Sequence, residues 1–446
     1  EVRRPHPHRV EVICEDETTK VRATHFIGFN PDSNLMTCQT QIENLGDSNL
    51  AIDWCASASL PLDPRATRLF GFTGRWSGEF HLEEVAPFLG SYVRENKNGR
   101  TSHDNFPGLV VGTNETHEQA GPCFAFHLGW SGNNRVRVDR LSDGRAFVQM
   151  GEYFFPGEMS LAPGEIYRTP RLYAGFTSRG FSALSRKFHR HLKHPVMDGR
   201  VDRKPRPIHY NTWEAVYFDH DHDTLFRLAE AAAEVGAERY ILDDGWFGSR
   251  RNDKAGLGDW WPSEDVYPEG LGPLIEHVTG LGMEFGLWFE PEMVNPDSEL
   301  FRAHPDWILH AEGVEQVPFR SQFVLDLTRP EVSDYLFEHM HKLLSEHEIS
   351  YVKWDMNRDV HHPGSRGRPA INQQTRALYA LIERLRQAHP DLEIESCSSG
   401  GARADYGILR RTDRIWTSDS NDALDCQRIQ RGASHFFPLD IIGAHV

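Results

Sequence analysis

Lys353 and Asp355 stand two residues apart in a short apolar run in the second half of the chain. In a strand this spacing puts both side chains on the same face, and burying two charges there is costly unless they are paired or used. An internal ion pair is one interpretation. The other is chemical, since an anion beside a cation, flanked by Trp354 and Asn357, could hold a sugar hydroxyl and attack a sugar carbon. On this basis we predict that Asp355 is a catalytic nucleophile.

Acidic and aromatic residues recur after short apolar runs throughout this half of the chain. A single polar strand end could simply cap a helix, but six in succession are hard to explain in that way. In a (β/α)8 barrel the active site is built from the carboxyl ends of several strands, so the pattern predicts one shared site. The six segments are Asn211–Glu214, Leu242–Trp246, Trp288–Glu292, Lys353–Asp355, Glu395–Cys397 and Thr417–Asp419.

The residue types in these segments indicate a carbohydrate ligand, because acids lie beside tryptophans without metal-ligand spacing, a glycine-rich phosphate loop or a Ser-His-Asp order. Tryptophan faces cover the apolar C–H patches of a pyranose, and carboxylates accept hydrogen bonds from its hydroxyls. Glycoside cleavage needs two carboxyl groups, one that attacks or activates water and one that protonates the leaving oxygen. The sequence therefore predicts a glycoside-cleaving site and gives no sign of a metal or cofactor.

Two different patterns divide the chain. Residues 1–195 contain short alternating strands separated by turn signals, which predicts an antiparallel β-sandwich followed by a helix over Phe181–Leu192. The segment Met197–Pro207 breaks all periodicity, so we place a domain boundary between residues 195 and 196. From there to residue 446 strands alternate with helices, as in βα units around parallel strands. The predicted helices of this half are Thr224–Val235, Leu271–Leu281, Glu331–Glu348 and Gln373–Ala388.

One segment of the N-terminal half, Gly71–His81, crowds aromatic, basic and acidic groups between glycines. A tightly packed loop would explain this composition. A loop that reaches over a neighbouring carbohydrate site would explain it as well.

Composition restricts the class of protein. In a chain of 446 residues, 39% hydrophobic and 11% aromatic content is ample for large packed cores. The net charge of −17 argues against a nucleic-acid partner, which would need a basic surface. No apolar run reaches the roughly 18 residues of a membrane span. Six cysteines without CxxC spacing predict reduced thiols in a cytoplasm.

The motifs quoted above resemble those of the family 36 α-galactosidases of bacteria and fungi, in family order and over nearly the whole chain. The resemblance implies a β-sandwich, a (β/α)8 barrel and a smaller β-domain after it. It further implies a retaining exo-hydrolase of terminal α-galactosides such as melibiose and raffinose, and a homo-oligomer, tetrameric in similar enzymes. The matching motifs are Asn211–Ala215, Leu242–Phe247, Trp288–Pro296, Lys353–Arg358, Trp416–Asp419 and Gly443–Val446.

By this resemblance, Asp355 is the nucleophile after the fourth barrel strand and Asp419 is the acid/base after the sixth. The family's sugar-binding positions map onto further residues of this chain. Those residues are Asp243, Asp244 and Lys353 at the 4- and 6-hydroxyls, Trp213 as a wall, Arg320 and Asn357 beside them, and Cys397 and Gly400 by the 2-hydroxyl.

The chain also departs from the family pattern. Ser399 and Ser420–Asn421 stand where the family commonly has a longer glycine run and an Asn-Thr pair, which bears on the preference for the leaving group. The chain starts at Glu1 without an initiator methionine and stops at what would be the seventh barrel strand. We therefore expect a fragment that lacks the eighth βα unit and the C-terminal domain.

Other functions remain compatible with these residues. An α-N-acetylgalactosaminidase or a transgalactosylase of the same family would share the catalytic pair, and an inactive carbohydrate-binding remnant would share the ligand. The loop around Cys397 discriminates the first of these, because an acetamido group needs more room than a 2-hydroxyl.

Overall fold

A computed structural model describes residues 1–101, 103–202 and 204–443. The described residues form two compact units. Of the described residues, unit 1 comprises 1–101, 103–202, 400–410 and 417–439, and unit 2 comprises 204–399, 411–416 and 440–443. Ala444, His445 and Val446, which end the last motif quoted above, lie outside the described residues.

The strands and helices are numbered along the chain. The strands of unit 1 are β1 (Val2–His6), β2 (Arg9–Asp16), β3 (Val21–Asn30), β4 (Leu35–Asn44), β5 (Leu50–Ala51), β6 (Trp54–Pro61), β7 (Arg68–Arg75), β8 (Gly78–Val85), β9 (Gly90–Asn96), β10 (Gly108–Gly112), β11 (Cys123–Gly129), β12 (Asn134–Arg140), β13 (Ala146–Tyr153), β14 (Ser160–Leu161), β15 (Ile166–Arg168) and β16 (Arg171–Thr177). The strands of unit 2 are β17 (His209–Asn211), β18 (Arg239–Leu242), β19 (Glu284–Phe289), β20 (Met293–Val294), β21 (Phe323–Val324), β22 (Tyr351–Trp354), β23 (Gly364–Ser365), β24 (Arg368–Pro369), β25 (Glu393–Ser396), β26 (Arg414–Trp416) and β27 (Ile442–Gly443). The α-helices are α1 (Gly180–His191), α2 (Trp213–Val216), α3 (His222–Glu234), α4 (Gly272–Gly280), α5 (Glu299–Ala303), α6 (Pro330–Glu346), α7 (Ile371–Ala388), α8 (Tyr406–Leu409) and α9 (Ala423–Ala433).

Unit 1 is built mainly from two antiparallel sheets. Within the described residues, the larger sheet has ten strands in the order β1-β2-β3-β4-β16-β11-β10-β7-β8 with β15 beside β4, and the smaller has the order β6-β13-β12-β9. Alternating burial explains these strands; in β12, for example, Val136 and Val138 are buried while Arg135 and Arg137 are partly exposed. The predicted antiparallel N-terminal domain is confirmed.

Unit 2 is built around a curled parallel sheet. In the described part of the chain its order is β17-β18-β19-β22-β25-β26-β27, and each neighbouring pair is parallel. Every residue of β18 and β22 is buried, as expected for strands covered on both faces. The predicted barrel domain of βα units is confirmed.

Local signals explain where the barrel helices begin. Asp221 caps α3 by accepting a hydrogen bond from the backbone N–H of Thr224 at 3.0 Å. Pro330 opens α6, a position where its missing N–H costs nothing. These helices return the chain so that the strands run parallel, and the carboxyl ends of those strands consequently meet at one edge of the sheet.

The opposite edge of this sheet carries an ion network around a buried arginine. Arg239 begins β18 and is fully buried, while Glu284 begins β19 and Glu393 begins β25. The Arg239 guanidinium donates to Glu284 Oε2 at 2.9 Å and to Glu393 Oε2 at 2.7 Å. One cation thus links the starts of separate strands, at the edge away from the strand ends singled out in the sequence.

Over residues 1–101, 103–202 and 204–443, no helix combines the length and the apolar composition needed to cross a membrane.

Candidate active site

Asp355 directly follows β22, and both of its carboxylate oxygens accept hydrogen bonds. Oδ2 accepts from Asn357 Nδ2 at 2.7 Å and from Trp288 Nε1 at 3.2 Å. Oδ1 accepts from the backbone N–H of Met356 at 2.8 Å and of Ser399 at 3.3 Å. These contacts fix the carboxylate in one orientation.

The surroundings of Asp355 also favour its ionised form. Burial would raise the pKa of this carboxyl, but the positive charge of Lys353 and hydrogen bonds from Asn357 and Cys397 outweigh burial and hold the pKa below its usual value. A carboxylate must be ionised to attack carbon. The arrangement therefore suits a nucleophile.

Lys353, on β22, forms a buried ion pair with Asp243, which directly follows β18. Its Nζ lies 2.8 Å from Asp243 Oδ2, and the same oxygen accepts from Asn211 Nδ2 at 2.6 Å. Although burial would lower the pKa of Lys353, the surrounding anions, with Asp243 first, hold it well above its usual value. The side chain stays a cation that can donate to a ligand.

Asp244 has a different partner from its neighbour. Arg250 Nε and Nη2 donate to its two oxygens at 2.9 and 2.8 Å, a bidentate pair with both side chains buried. Asn295 accepts from the same guanidinium at 3.0 Å. The bidentate pair holds Asp244 rigidly. Each carboxylate oxygen keeps a further lone pair, so Asp244 can still accept a hydrogen bond from a hydroxyl group.

Glu290 follows β19 and is completely buried. It accepts hydrogen bonds from the backbone N–H of Asn357 and from Gln322 Nε2 at 3.0 Å. Burial and the negative charge of Asp355 raise the pKa of Glu290, while Arg320 acts in the opposite direction. Arg320 itself is exposed and has a left-handed backbone with φ 53°.

Trp213 and Cys397 lie at other strand ends of unit 2. Trp213 follows β17 after one residue, is half-buried, and packs edge-on against Tyr217 and Phe218 with ring centroids 5.1 Å apart in each case. Cys397 directly follows β25 and is 1% exposed. The Cys397 side chain is thus covered by protein atoms.

Asp419 and Gly400 belong to unit 1. Asp419 is half-buried, and its Oδ2 accepts a hydrogen bond from Trp76 Nε1 at 2.8 Å. Trp76 and Ser77 join β7 to β8, and Ser77 has the positive φ of a tight turn, 57°. The hairpin formed by β7 and β8 thus holds the carboxylate of Asp419 through its tip.

Gly400 has a positive φ of 77°, which glycine adopts without strain. A Cβ at this position would lie 2.6 Å from Glu79 Oε1 and 2.9 Å from the backbone nitrogen of Asp419. Glu79 Oε1 also accepts from the backbone N–H of Gly401 at 3.4 Å. Both the conformation and the space here require glycine.

The structure links the residues that the sequence singled out into networks within each unit. In unit 2 the contacts and charges join Asp243, Lys353, Asp355, Asn357 and Cys397, with Asp244 beside Asp243 in the chain, Trp213 among its own aromatic neighbours and Arg320 acting on Glu290. In unit 1 Gly400 and Asp419 lie together with Trp76 and Glu79. In the described ranges, no three His, Cys, Asp or Glu side chains are grouped so that they could hold a metal ion.

Sequence reasoning did not assign roles to several residues of these networks, among them Glu290, Trp76, Glu79 and Arg250. Glu290 lies inside a motif that was quoted, and Trp76 and Glu79 lie inside the crowded segment Gly71–His81, so a signal existed for all three. The sequence held no such signal for Arg250, because nothing in the neighbouring residues distinguishes its role from that of Arg251.

Comparisons with known proteins identify the family of the chain. A model of the family described as melibiase matches residues 166–446, and a model of the glycosyl hydrolase family 36 N-terminal domain matches residues 3–162. The chain is similar to an Escherichia coli alpha-galactosidase, at 46% identity over 98% of the chain and 61% of that protein. It is also similar to alpha-galactosidase AgaA of Geobacillus stearothermophilus, at 36% identity over 98% of the chain and 61% of that protein.

Solved structures of family 36 α-galactosidases also match the chain. A variant of the Geobacillus enzyme in complex with stachyose and another in complex with raffinose each match with a TM-score of 0.94, at 33% identity over 98% of this chain and 62% of the compared chain. This chain thus spans about three fifths of the length of such relatives.

Proposed function

The chain belongs to glycoside hydrolase family 36, the melibiase family, and from this premise we propose that the protein is a retaining exo-α-galactosidase. It removes terminal non-reducing α-galactosyl residues from oligosaccharides such as melibiose and raffinose. The observation that carries the proposal is the environment of Asp355, an ionised carboxylate held at both oxygens beside the Lys353–Asp243 ion pair.

The proposed reaction is a double displacement. The Asp355 carboxylate attacks the anomeric carbon and forms a covalent galactosyl ester while the bond to the leaving oxygen breaks. Asp419 gives its proton to that oxygen and then, as a base, takes a proton from the water that hydrolyses the ester. Asp355 leaves as a carboxylate, and galactose retains the α configuration.

Substrate recognition is proposed to rest on the residues around these carboxyls. Lys353, Asp243 and Asp244 hold the 4- and 6-hydroxyls, with Trp213 as an apolar wall. The enclosed thiol of Cys397, together with Gly400, faces the 2-hydroxyl and disfavours the bulkier acetamido group of an N-acetylgalactosaminide. The remaining proposed contacts are Arg320 and Asn357.

The ligand class follows from relatives whose solved complexes contain raffinose and stachyose. We extend this class to the present protein and propose assembly as a homo-oligomer. The cysteines of the described chain are free thiols, which supports a reducing compartment such as the cytoplasm.

The decisive experiment is hydrolysis of melibiose by the full-length protein, with the first anomer detected by NMR. The expected product is α-galactose, with the carboxyls of Asp355 and Asp419 about 5 to 6 Å apart, as in retaining enzymes. The Asp355→Ala variant serves as the negative control, because it lacks the proposed nucleophile. A β-anomer as first product would reject the double displacement, and absence of galactose would reject the activity.

A further inference from the structure

Glu79, the second residue of β8, is a buried carboxyl to which the reaction above gives no role. It is 1% exposed, and its Oε2 has no hydrogen-bond partner among the described residues. Burying a carboxylate with an unpartnered oxygen costs free energy. If Glu79 had no use, an apolar residue at this position would give a more stable protein. The presence of a carboxyl group here therefore needs an explanation.

The surroundings of Glu79 are the two segments that carry Gly400 and Asp419. Glu79 Oε1 accepts from the backbone N–H of Gly401, and the Ser418 hydroxyl also stabilises the carboxylate. A single carbon added to Gly400 would touch both Glu79 and the backbone of Asp419. Glu79 therefore packs against both segments at once.

The charged and titratable groups that face Glu79 come from several elements. His103 Nε2 lies 3.9 Å from its Oε1. The carboxylate of Asp419 and the thiol of Cys426, on α9, interact with it electrostatically. Burial first, and then the charge of Asp419, raise the pKa of Glu79 to about 7 against the hydrogen bonds of Ser418 and Gly401.

Trp76 lies in the turn between β7 and β8, Glu79 lies just after that turn, and the two act on Asp419 with opposite sign. Trp76 donates a hydrogen bond to Asp419 Oδ2, and a hydrogen bond to a carboxylate favours its ionised form. A negative charge on Glu79 disfavours that form. Two carboxyls that interact electrostatically do not titrate independently, because ionisation of one makes ionisation of the other less favourable.

We propose that Glu79 is a positioning residue that holds the Gly400–Gly401 and Ser418–Asp419 segments together and keeps Asp419 protonated at higher pH, with Trp76 acting in the opposite direction. The inference rests on the proposed role of Asp419 as the acid. It makes the β7–β8 hairpin the element that sets the pH range in which the leaving oxygen can be protonated.

The test is the pH dependence of kcat/KM in full-length Glu79→Gln. With melibiose, whose leaving oxygen needs a proton, the alkaline limb of the kcat/KM profile should move to lower pH by about one pH unit. At pH values well above the limb, kcat/KM should therefore be about tenfold lower than in the wild type. With 4-nitrophenyl α-galactoside, which needs little protonation, the loss should be much smaller. Equal losses on both substrates at every pH would mean a purely structural role and would overturn the proposal.

Trp76→Phe provides a second test, which remains available if Glu79→Gln does not fold. Trp76 is 59% exposed, so its replacement should not disturb folding. Its alkaline limb on melibiose should move to higher pH, and an unchanged or lowered limb would overturn the proposal. Glu83→Gln, at an exposed position of the same strand, is the matched control and should leave the profile unchanged. Wild-type protein without activity would reject both the proposed function and this inference, whereas active wild type with an unshifted Glu79→Gln limb would reject the inference alone.

Stability supplies a readout independent of turnover. Because the folded-state pKa of Glu79 is raised from 4.5 to about 7, its stabilising contribution is complete below pH 4.5 and is lost as the pH rises through 7. The melting temperature of Glu79→Gln relative to wild type should therefore rise between pH 5 and pH 8. A constant difference would show that Glu79 ionises as an ordinary exposed carboxyl and would overturn the proposal.

Discussion

Asp355 and Asp419 differ in how their surroundings hold them, and this difference fits their proposed duties. Asp355 is fully enclosed and bound at both oxygens, with a lowered pKa. Asp419 is half-buried, with Oδ2 held by an exposed tryptophan. A nucleophile benefits from a fixed, ionised carboxylate, whereas an acid/base must exchange protons with the leaving group and with water.

We predict that replacing each carboxyl gives a distinct kinetic result. Asp355→Ala should abolish turnover of every galactoside, because no covalent intermediate can form. Asp419→Ala should spare substrates with good leaving groups, and azide should restore rate to one of the two variants. The measurement compares kcat/KM for melibiose and 4-nitrophenyl α-galactoside.

Equal losses of Asp419→Ala on the two substrates would place the acid elsewhere. Asp422 is the nearest alternative in the chain. Its carboxylate already caps α9 by accepting from the backbone N–H groups of Leu424 and Asp425, each at 2.9 Å. Asp422→Ala should accordingly lower stability more than it changes the ratio of the two rates.

A second prediction concerns sugar choice. Galactose differs from glucose in the direction of the 4-hydroxyl, so glucose would leave unfilled the hydrogen bonds that Lys353 and Asp243 can make beyond their own ion pair, at about 1 to 3 kcal/mol for each buried group. Lys353→Met should lower kcat/KM for an α-galactoside far more than for an α-glucoside. Lys254→Met, at an exposed position, is the matched control.

The alternative is that Lys353 and Asp243 form only an internal ion pair. In that case Lys353→Met would reduce both rates alike and lower the melting temperature, because it leaves Asp243 buried without its cation. Measuring both substrates and the melting temperature on one variant separates the two explanations. Parallel losses would count against the proposed galactose specificity.

Among the elements of unit 1, the contact between α9 and β8 depends on one glycine. A Cβ on Gly432 would lie 1.8 Å from the backbone oxygen of Phe80, and Phe80 follows Glu79 on β8. Gly432→Ala should therefore force the helix away from the strand and destabilise the protein by at least about 2 kcal/mol. The free energy of unfolding from denaturant titration measures the effect.

Gly280, the last residue of α4, offers a control of opposite sign. A Cβ there would meet open space, and alanine is a better helix former than glycine by up to about 1 kcal/mol. Gly280→Ala should leave stability unchanged or raise it. A loss of stability in this variant as large as that of Gly432→Ala would mean that the steric argument is wrong.

For the molecule as a whole, stability and activity should be separable within unit 2. Arg239 links β18, β19 and β25 at the strand starts, while the candidate catalytic residues follow the strand ends. Arg239→Met would remove the buried cation and leave Glu284 and Glu393 with Lys204 and Arg414 alone, so the loss should be smaller than the about 3 to 5 kcal/mol of breaking a fully buried pair. The melting temperature should fall clearly, and kcat/KM of the folded fraction should stay within about twofold.

Arg227→Met on α3 is the comparison, since Arg227 is exposed and its loss should change stability by less than about 0.5 kcal/mol. A large drop in kcat/KM for Arg239→Met at a temperature where the variant is folded would contradict the separation of the two edges.

Much of the architecture followed from local patterns in the sequence. The predicted helix 224–235 is observed as His222–Glu234, and the predicted helix 373–388 as Ile371–Ala388. Burial repeats with the period of each element, so the class of each unit was predictable. The ends of the helices were less predictable, because a cap such as Asp221 depends on a single hydrogen bond.

The strand-end motifs also allowed Lys353 and Asp355 to be named before their surroundings were known, since a charge inside a buried strand is costly unless it has a use. Their partners could not be named in the same way. Asp244 pairs with Arg250 and not with Lys353, and Trp76 meets Asp419 from 343 positions away in the chain. Periodicity reports which face of an element is buried, but it carries no information about which distant side chain fills the space opposite. That choice is made by packing and by the need to satisfy every buried charge, and both depend on the folded chain.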